Sequence, residues 1–417
     1  MIDLAAAQQE LLEACGRLDP APLRLDEALG CVTSEDVFSA HAVPPFACSS
    51  LDGYAVRAAD LAGAEPDHPV ALTVLGSVPA GALAPSPVVA GHAWKIMTGA
   101  AVPTGADAVV MVEHTSAHRG DAAASPGDTV QVSAAPPAGT GIRSAGSNIA
   151  LGARVLTSGT VLRPAHLGVL ASIGMDAVRV FPRPRVGLLV TGDELVDAGS
   201  DLRPGQIFDS NSVLLTALLR EADCDPVPLG RAGDDADALA ARLSAAAATV
   251  DAIVTTGGVS MGDADPVKAA LALLGRLHWL QVRIRPAKPF AYAVLPSTGR
   301  GVPLFGLPGN PVSALVSFEL LARPALRAMA GHAVLHRPQV RAIADSALTA
   351  PGSDGRTAYV RVMSAFGPDG RLHVTPVDAQ DSHQLAQTAR ADGLAELAPG
   401  VTVGRGGEVT VHSLVWD

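Results

Sequence analysis

The sequence predicts an α/β protein. It has a central three-layer α/β domain with a mostly parallel sheet, an N-terminal mixed domain, an inserted β domain and a C-terminal β-barrel domain. Three observations predict this. Between Val186 and Met329, short β-branched runs alternate with helical stretches, the rhythm of βαβ units. From Val70 to Ala134, and again beyond Arg337, short strands bounded by Gly, Pro and Asp replace that rhythm. A chain of 417 residues is also too long for one core.

Taken in order, residues 1–17 read as an amphipathic helix and Leu25 to Leu29 as a second short helical stretch. Pro44-Pro45 breaks structure, and Leu51-Asp52-Gly53-Tyr54 is a turn feeding a strand. ALTVLGSV, HAWKIMTG, ADAVVMVEHT and TVQVSAA are strands of the inserted domain, with HRGDAAASPGD as an exposed loop. A helix follows around Ala165 to Ile173, and Pro182-Arg183-Pro184 marks a boundary. Beyond it come strand Val186–Thr191, helix Val213–Ala222, strand Pro226–Leu229 and a helix running through Ala247. Strand Ala252–Thr256, helix Val267–Leu274, strand Leu304–Gly306 and helix Val312–Met329 complete the alternation. QVRAIA, AYVRVMSAF, RLHVTPV and EVTVHSLVW are the closing strands. The implied domains are 1–46 with 142–180, 47–141, 181–331 and 332–417.

The chain carries 30 positive and 41 negative side chains, a net charge of −11, with no basic tract, which disfavours nucleic-acid binding. Any anionic ligand must be met by local donors or by a metal. Cys15, Cys31, Cys48 and Cys224 form no C-x-x-C pair, which argues against a zinc site or a disulfide framework. The N-terminus lacks a basic n-region, and no run reaches the ~18 apolar residues of a membrane helix. A reduced, cytoplasmic location is the expectation. Lysine occurs only at Lys95, Lys268 and Lys288, and arginine supplies the rest of the 30 cations. A compact ammonium kept where a planar fork is the norm draws attention to Lys268 and Lys288.

The chemistry concentrates in the loops that follow the predicted parallel strands, where ligands of such sheets sit. Asp251 to Leu274 reads as strand, glycine loop and helix. Gly257 and Gly258 let a ligand approach the backbone, and Asp265-Pro266 is a helix start. Asp263 and Asp265 would repel a phosphate unless a divalent cation lay between, and Mg²⁺ is held in this way. Asp193, Glu194, Asp235 and Asp265 are carboxylates beside these loops, with Asp234 a near alternative, and oxygen donors favour a hard cation. Asp234 and Asp235 equally suit helix capping. Pro308-Gly309-Asn310-Pro311 is a rigid loop opening a helix, and Met97-Thr98-Gly99 offers a hydroxyl beside a glycine. No P-loop occurs.

Together these segments resemble the molybdopterin molybdenumtransferase family, the bacterial MoeA proteins and the E domain of gephyrin. The matching pieces are PPF…SLDGYAV, IMTGAAVPTGADAVV, VGLLVTGDELV, GQIFDSNS, TTGGVSMGDAD, PAKPF, GLPGNPVSA and DSHQL, in the family's order over nearly the whole chain. The resemblance implies a Mg²⁺-assisted enzyme. It inserts molybdate into adenylylated molybdopterin with release of AMP, giving molybdenum cofactor. It implies an elongated homodimer whose cleft lies between the α/β domain of one subunit and the β domain of the other. A molybdopterin-adenylylating protein and apo-molybdoenzymes are the implied further partners. By motif position, Glu194, Asp52, Thr98, Asp235 and Asp265 carry the catalysis, Asp52 and Thr98 coming from the second subunit, and Asp235 and Asp265 serve the metal. Gly257, Gly258, Ser260, Lys288, Pro308, Pro311, Arg361 and Ser382 bind the ligand, with Arg285, Lys288 and Arg361 as donors to molybdate.

Three positions depart from the family pattern. Ala47-Cys48 replaces an Asp-Asn pair, Gly146-Ser147-Asn148 replaces Gly-Glu-Asp, and Pro286-Ala287-Lys288-Pro289 replaces Pro-Gly-Lys-Pro. These leave two alternatives beside the insertase: a molybdopterin adenylyltransferase and a non-catalytic pterin-binding assembly protein.

Overall fold

Strands Arg185–Thr191, Ala252–Thr256 and Val302–Leu307 lie side by side and parallel, with Asp225–Ala232 parallel on the outer flank of the first. Pro289–Leu295 and Leu277–Gln281 extend the sheet antiparallel on the other flank, making six strands. The computed structural model describes residues 1–119, 125–233, 235–258, 266–274, 277–297 and 299–415. The middle strands are apolar at nearly every position because both faces are covered. Successive side chains divide between the two faces. Leu189, Ile253 and Leu304 pack with Leu239, Leu243, Val267 and Leu271 of helices Ala236–Ala247 and Pro266–Leu274. Leu188, Val254 and Phe305 face the opposite way, onto Leu215, Leu219, Val316 and Leu326. The predicted three-layer architecture is therefore present.

The buried helix of the second face is continuous but not uniform. It runs as α-helix Pro311–Ser317, one π turn Phe318–Ala322 and α-helix Arg323–Met329. The π turn carries Glu319, which is 4% exposed and takes a two-point ion pair from Arg337. Against this helix packs the chain's first one, Leu4–Ala14, burying Ala7 and Leu11 in the α/β core. This helix falls within the 1–46 segment expected in the N-terminal domain but shares the core of the α/β unit.

The remaining units are β. Ala21–Arg24 and Val32–Thr33 flank Ala177–Phe181 in an antiparallel sheet. The helical stretch expected at Leu25 to Leu29 is a turn after the first of these strands. Leu23 and Leu25 both reach the same apolar cluster, so the period of two wins over the helical reading. Five strands between Gly53 and Val132 form one sheet, ordered Ala108–Met111, Gly53–Val56, His92–Ile96, Val70–Val78 and Thr129–Val132. In the C-terminal part, Thr357–Phe366, Leu372–Pro376, Gln339–Ala344, Glu408–Ser413 and Gly393–Leu397 pair in that order, and the last returns to the first. That closure makes a five-stranded barrel and removes its edges. Among the described residues no helix is long and apolar enough to cross a membrane.

Candidate active site

The carboxyl ends of the three parallel strands open into a cleft of about 690 Å³. Two of the strand ends are polar and buried, Thr191 at 5% and Thr256 at 0% exposed, and the third ends at the buried Leu307. Gly257 follows at φ +85°, and a Cβ there would collide with the Thr191 carbonyl, so glycine alone lets the two ends approach. Asn211, the first residue of helix Asn211–Glu221, binds the other two ends together. Its Nδ2 donates to Thr256 Oγ1 at 3.0 Å and to the Gly309 carbonyl at 2.8 Å, while Thr256 Oγ1 donates to the Pro308 carbonyl at 3.0 Å. Asn211 Oδ1 is buried and has no hydrogen-bond partner among the described residues. The predicted Gly257, Gly258, Pro308 and Pro311 all line this cleft.

Glu194 also lines the cleft and is exposed. Its carboxylate folds back over Gly192, where a Cβ would lie 2.7 Å from Oε2, so the glycine keeps the acid at the strand end. Asp193 is exposed and does not line the cleft. Asp235 is the N-cap of helix Ala236–Ala247, its Oδ1 accepting from the amides of Asp237 and Ala238 at 3.0 and 3.1 Å. It too lies off the lining, with Oδ2 remaining. Asp234, Ser260, Asp263 and Asp265 lie outside the described residues. Among the described residues no three His, Cys, Asp or Glu side chains gather to hold a metal ion.

Lys288 is half-buried beside Pro289, which lines the cleft. Ala287 before it is 4% exposed and has φ +79°, the left-handed region that suits glycine. This is the position where the family pattern has glycine. Arg285 is paired with Asp354 at 3.5 Å.

The C-terminal unit closes one side of the cleft through the segment 379–388, which ends in the short helix Leu385–Thr388. His383 lines the cleft, Ser382 Oγ accepts from Asn310 Nδ2 at 3.0 Å, and the Ser382 carbonyl accepts from the Val312 amide. Arg361 stands apart from its sequence reading as an anion donor. It is 0% exposed, and its N–H groups go to the loop: Nη1 to Gln384 O and Thr388 Oγ1, Nη2 to Ala379 O and Asp381 O, Nε to Gln380 Oε1. Burial holds its pKa below the ordinary arginine value. The fork is spent on positioning the segment that carries Ser382 and His383.

Asp52 and Thr98 are brought together in the five-stranded unit and do not line the cleft of their own chain. The Thr98 amide and hydroxyl both donate to Asp52 Oδ1, at 2.7 and 2.8 Å. These bonds hold the Asp52 carboxyl below the usual carboxylate range.

Sequence reading missed residues of the DSN segment. Asp209, 8% exposed, accepts from the Ser212 amide at 2.9 Å, and Phe208 and Asn211 line the cleft. The capping pattern Asp-x-x-Ser was available as a signal for Asp209. Nothing local announces the contacts of Asn211.

A polar-floored cleft at the carboxyl ends of a parallel sheet, walled by a proline-rich loop and flanked by β units, defines a multidomain α/β ligand-binding enzyme. Residues 2–174 match the family described as MoeA N-terminal region (domain I and II), 187–328 the probable molybdopterin binding domain, and 343–414 the MoeA C-terminal region (domain IV). The chain is 37% identical to molybdopterin molybdenumtransferase 2 of Mycobacterium tuberculosis (strain H37Rv), over 98% of its own length and 96% of the relative. It is 35% identical to the molybdopterin molybdenumtransferase of Haemophilus influenzae, over 94% and 93%. The crystal structure of a molybdopterin biosynthesis MoeA protein from Pyrococcus horikoshii superposes with a TM-score of 0.79 at 29% identity, covering 99% of each chain. The chain belongs to the MoeA family of molybdopterin molybdenumtransferases.

Proposed function

We propose that this protein is a molybdenum insertase of molybdenum cofactor biosynthesis, taking molybdopterin and molybdate as substrates. The pterin enters as its adenylate, the pyrophosphate bond is hydrolysed, and AMP leaves as molybdenum is bound by the dithiolene sulfurs. The observation that carries this reading is the cleft itself, where Glu194, the Gly257-Gly258 turn and the Pro308–Pro311 loop meet at adjacent strand ends.

The chain's own residues divide the work. The backbone at Gly257 and Gly258 admits phosphate oxygens closely. Glu194 orients the attacking water and takes a proton from it: the water oxygen bonds to the pterin-side phosphorus, the bridging P–O bond breaks, and AMP departs with the bridging oxygen, to which the proton then passes. The Arg361 fork holds Ser382 and His383 at the cleft edge, and Lys288 supplies positive charge for molybdate. The carboxylate oxygens of Asp235 and Asp265 would hold Mg²⁺, a hard cation suited to oxygen donors. When bound it neutralises charge at phosphorus. Asp52 and Thr98 act on the cleft of a second subunit, which makes the working form a homodimer. A four-domain division with helix Leu4–Ala14 seated on the α/β core, a cytoplasmic location, and hand-over among an adenylylating protein, this dimer and apo-molybdoenzymes complete the proposal.

The test is purified protein with adenylylated molybdopterin, molybdate and Mg²⁺. AMP release together with active cofactor supports the insertase. Tight pterin binding without AMP release supports the assembly role, and ATP-dependent adenylylation supports the transferase.

A further inference from the structure

Asn211 has its amide orientation fixed twice. Gly309 O can only accept, so the side-chain nitrogen must face it. Thr256 Oγ1 spends its single proton on Pro308 O, so it too must accept from Asn211. Both protons of Nδ2 are therefore used, and Oδ1 cannot exchange places with it. Oδ1 is left with both lone pairs unused, with no donor among the described residues, in a residue that is 7% exposed and lines the cleft. A buried acceptor without a donor is costly, and a cleft-lining one gains most from a ligand that brings an N–H.

Three residues earlier, Phe208 offers the complementary feature. It is 44% exposed, and among the described residues lining the cleft it is the only Phe, Tyr or Trp. The chain has few aromatics to spare, 3% in all. The backbone around Phe208 is held: the Ile207 amide donates to Glu194 O and the Asp209 amide to Val196 O, both at 2.9 Å. An exposed ring on a fixed strand presents a π-face without the ordering cost of a mobile loop.

We propose that Phe208 and Asn211 together recognise the planar nitrogen heterocycle of the substrate, the ring stacking on Phe208 and a ring or exocyclic N–H donating to Asn211 Oδ1. This rests on the function proposed above, where both a pterin and an adenine enter the cleft and share that chemistry. It makes the segment Phe208 to Asn211 a specificity determinant of the α/β unit.

The experiment is fluorescence or calorimetric titration of the full-length protein with 6-hydroxymethylpterin and, separately, with AMP. Stacking losses on alanine substitution correspond to about tenfold weaker binding for Phe208→Ala, with Phe208→Trp retaining affinity. Asn211→Ala should weaken binding by about fivefold. Thr256→Val, which breaks the clasp and leaves Oδ1 in place, should stay within about twofold by the same reasoning. The probe whose affinity falls in both Phe208→Ala and Asn211→Ala identifies which heterocycle sits there. Unchanged affinity for both probes in Phe208→Ala, whose exposed site spares the fold, overturns the proposal. So does an equal loss in Thr256→Val and Asn211→Ala, which would reduce Asn211 to a loop clasp. If the unaltered protein binds neither probe, the proposed function falls as well, so the two failures are told apart.

Discussion

At the scale of single residues, two environments make measurable claims. The two Thr98 bonds to Asp52 favour the ionised carboxyl. A carboxyl lowered in this way stabilises the fold above its unfolded pKa and loses that contribution as pH falls through the lower folded value. Thr98→Val removes the hydroxyl donor, so the Asp52 titration should move upward toward the ordinary range, read by carboxyl carbon NMR. A stationary midpoint would remove the hydroxyl from the explanation. Ala287 is the second case. Its left-handed backbone costs an L-residue about 1–2 kcal/mol, while its buried methyl returns about 0.8 kcal/mol. Ala287→Gly should therefore leave the unfolding midpoint within about 1 kcal/mol of the parent. Ala287→Val, β-branched at positive φ, should cost about 2 kcal/mol or more. Equal midpoints for the two variants would contradict the strain.

At the scale of elements, Arg361 shows how a correct motif can carry an incomplete role. The sequence marked the residue, but only the barrel shows that its donors converge on residues 379–388. A lysine cannot reproduce five donors in a planar fork. Arg361→Lys should open this loop, with faster amide exchange at Gln384 and Thr388 and little change in the barrel strands. Exchange left at the parent rate would show that the fork does not hold the loop. What was legible in the sequence follows the same division. The strands of the α/β unit were legible because parallel strands covered on both faces read as short apolar runs. The Gly257 turn and the Pro308–Pro311 loop were legible because backbone constraints leave local residue signatures. The clasp by Asn211 was not, since its partners lie 45 and 98 residues away and any buried polar residue can follow a strand. The turn at Leu25 reads as helical in the sequence because apolar positions two apart and four apart coincide over so short a stretch.

At the scale of the whole molecule, ion pairs join the units. Arg337 reaches Glu319 in the π turn at 3.0 and 3.1 Å and Glu221 at 2.7 Å. Glu319 also lies 3.7 Å from Arg323. Removing one partner of a buried pair leaves the other charge desolvated, at about 3 kcal/mol. Arg337→Met should lower the unfolding free energy by up to that amount, and adding Glu319→Gln should lower it further, because it takes the Glu319 carboxylate from the buried Arg323. A double variant as stable as the single one would show that the Glu319 charge does not matter once Arg337 is gone.

The packing of helix Leu4–Ala14 has a consequence for how the chain is made. Ala7 and Leu11 leave the ribosome about 300 residues ahead of helix Arg323–Met329, which they pack against. At translation speeds of roughly 5–20 residues per second, the first helix waits on the order of tens of seconds for its seat. The α/β core is thus sealed by a segment made long before the helix that seats it. A nascent chain halted before Met329 is expected to show that helix sensitive to protease, and release of the finished chain to protect it.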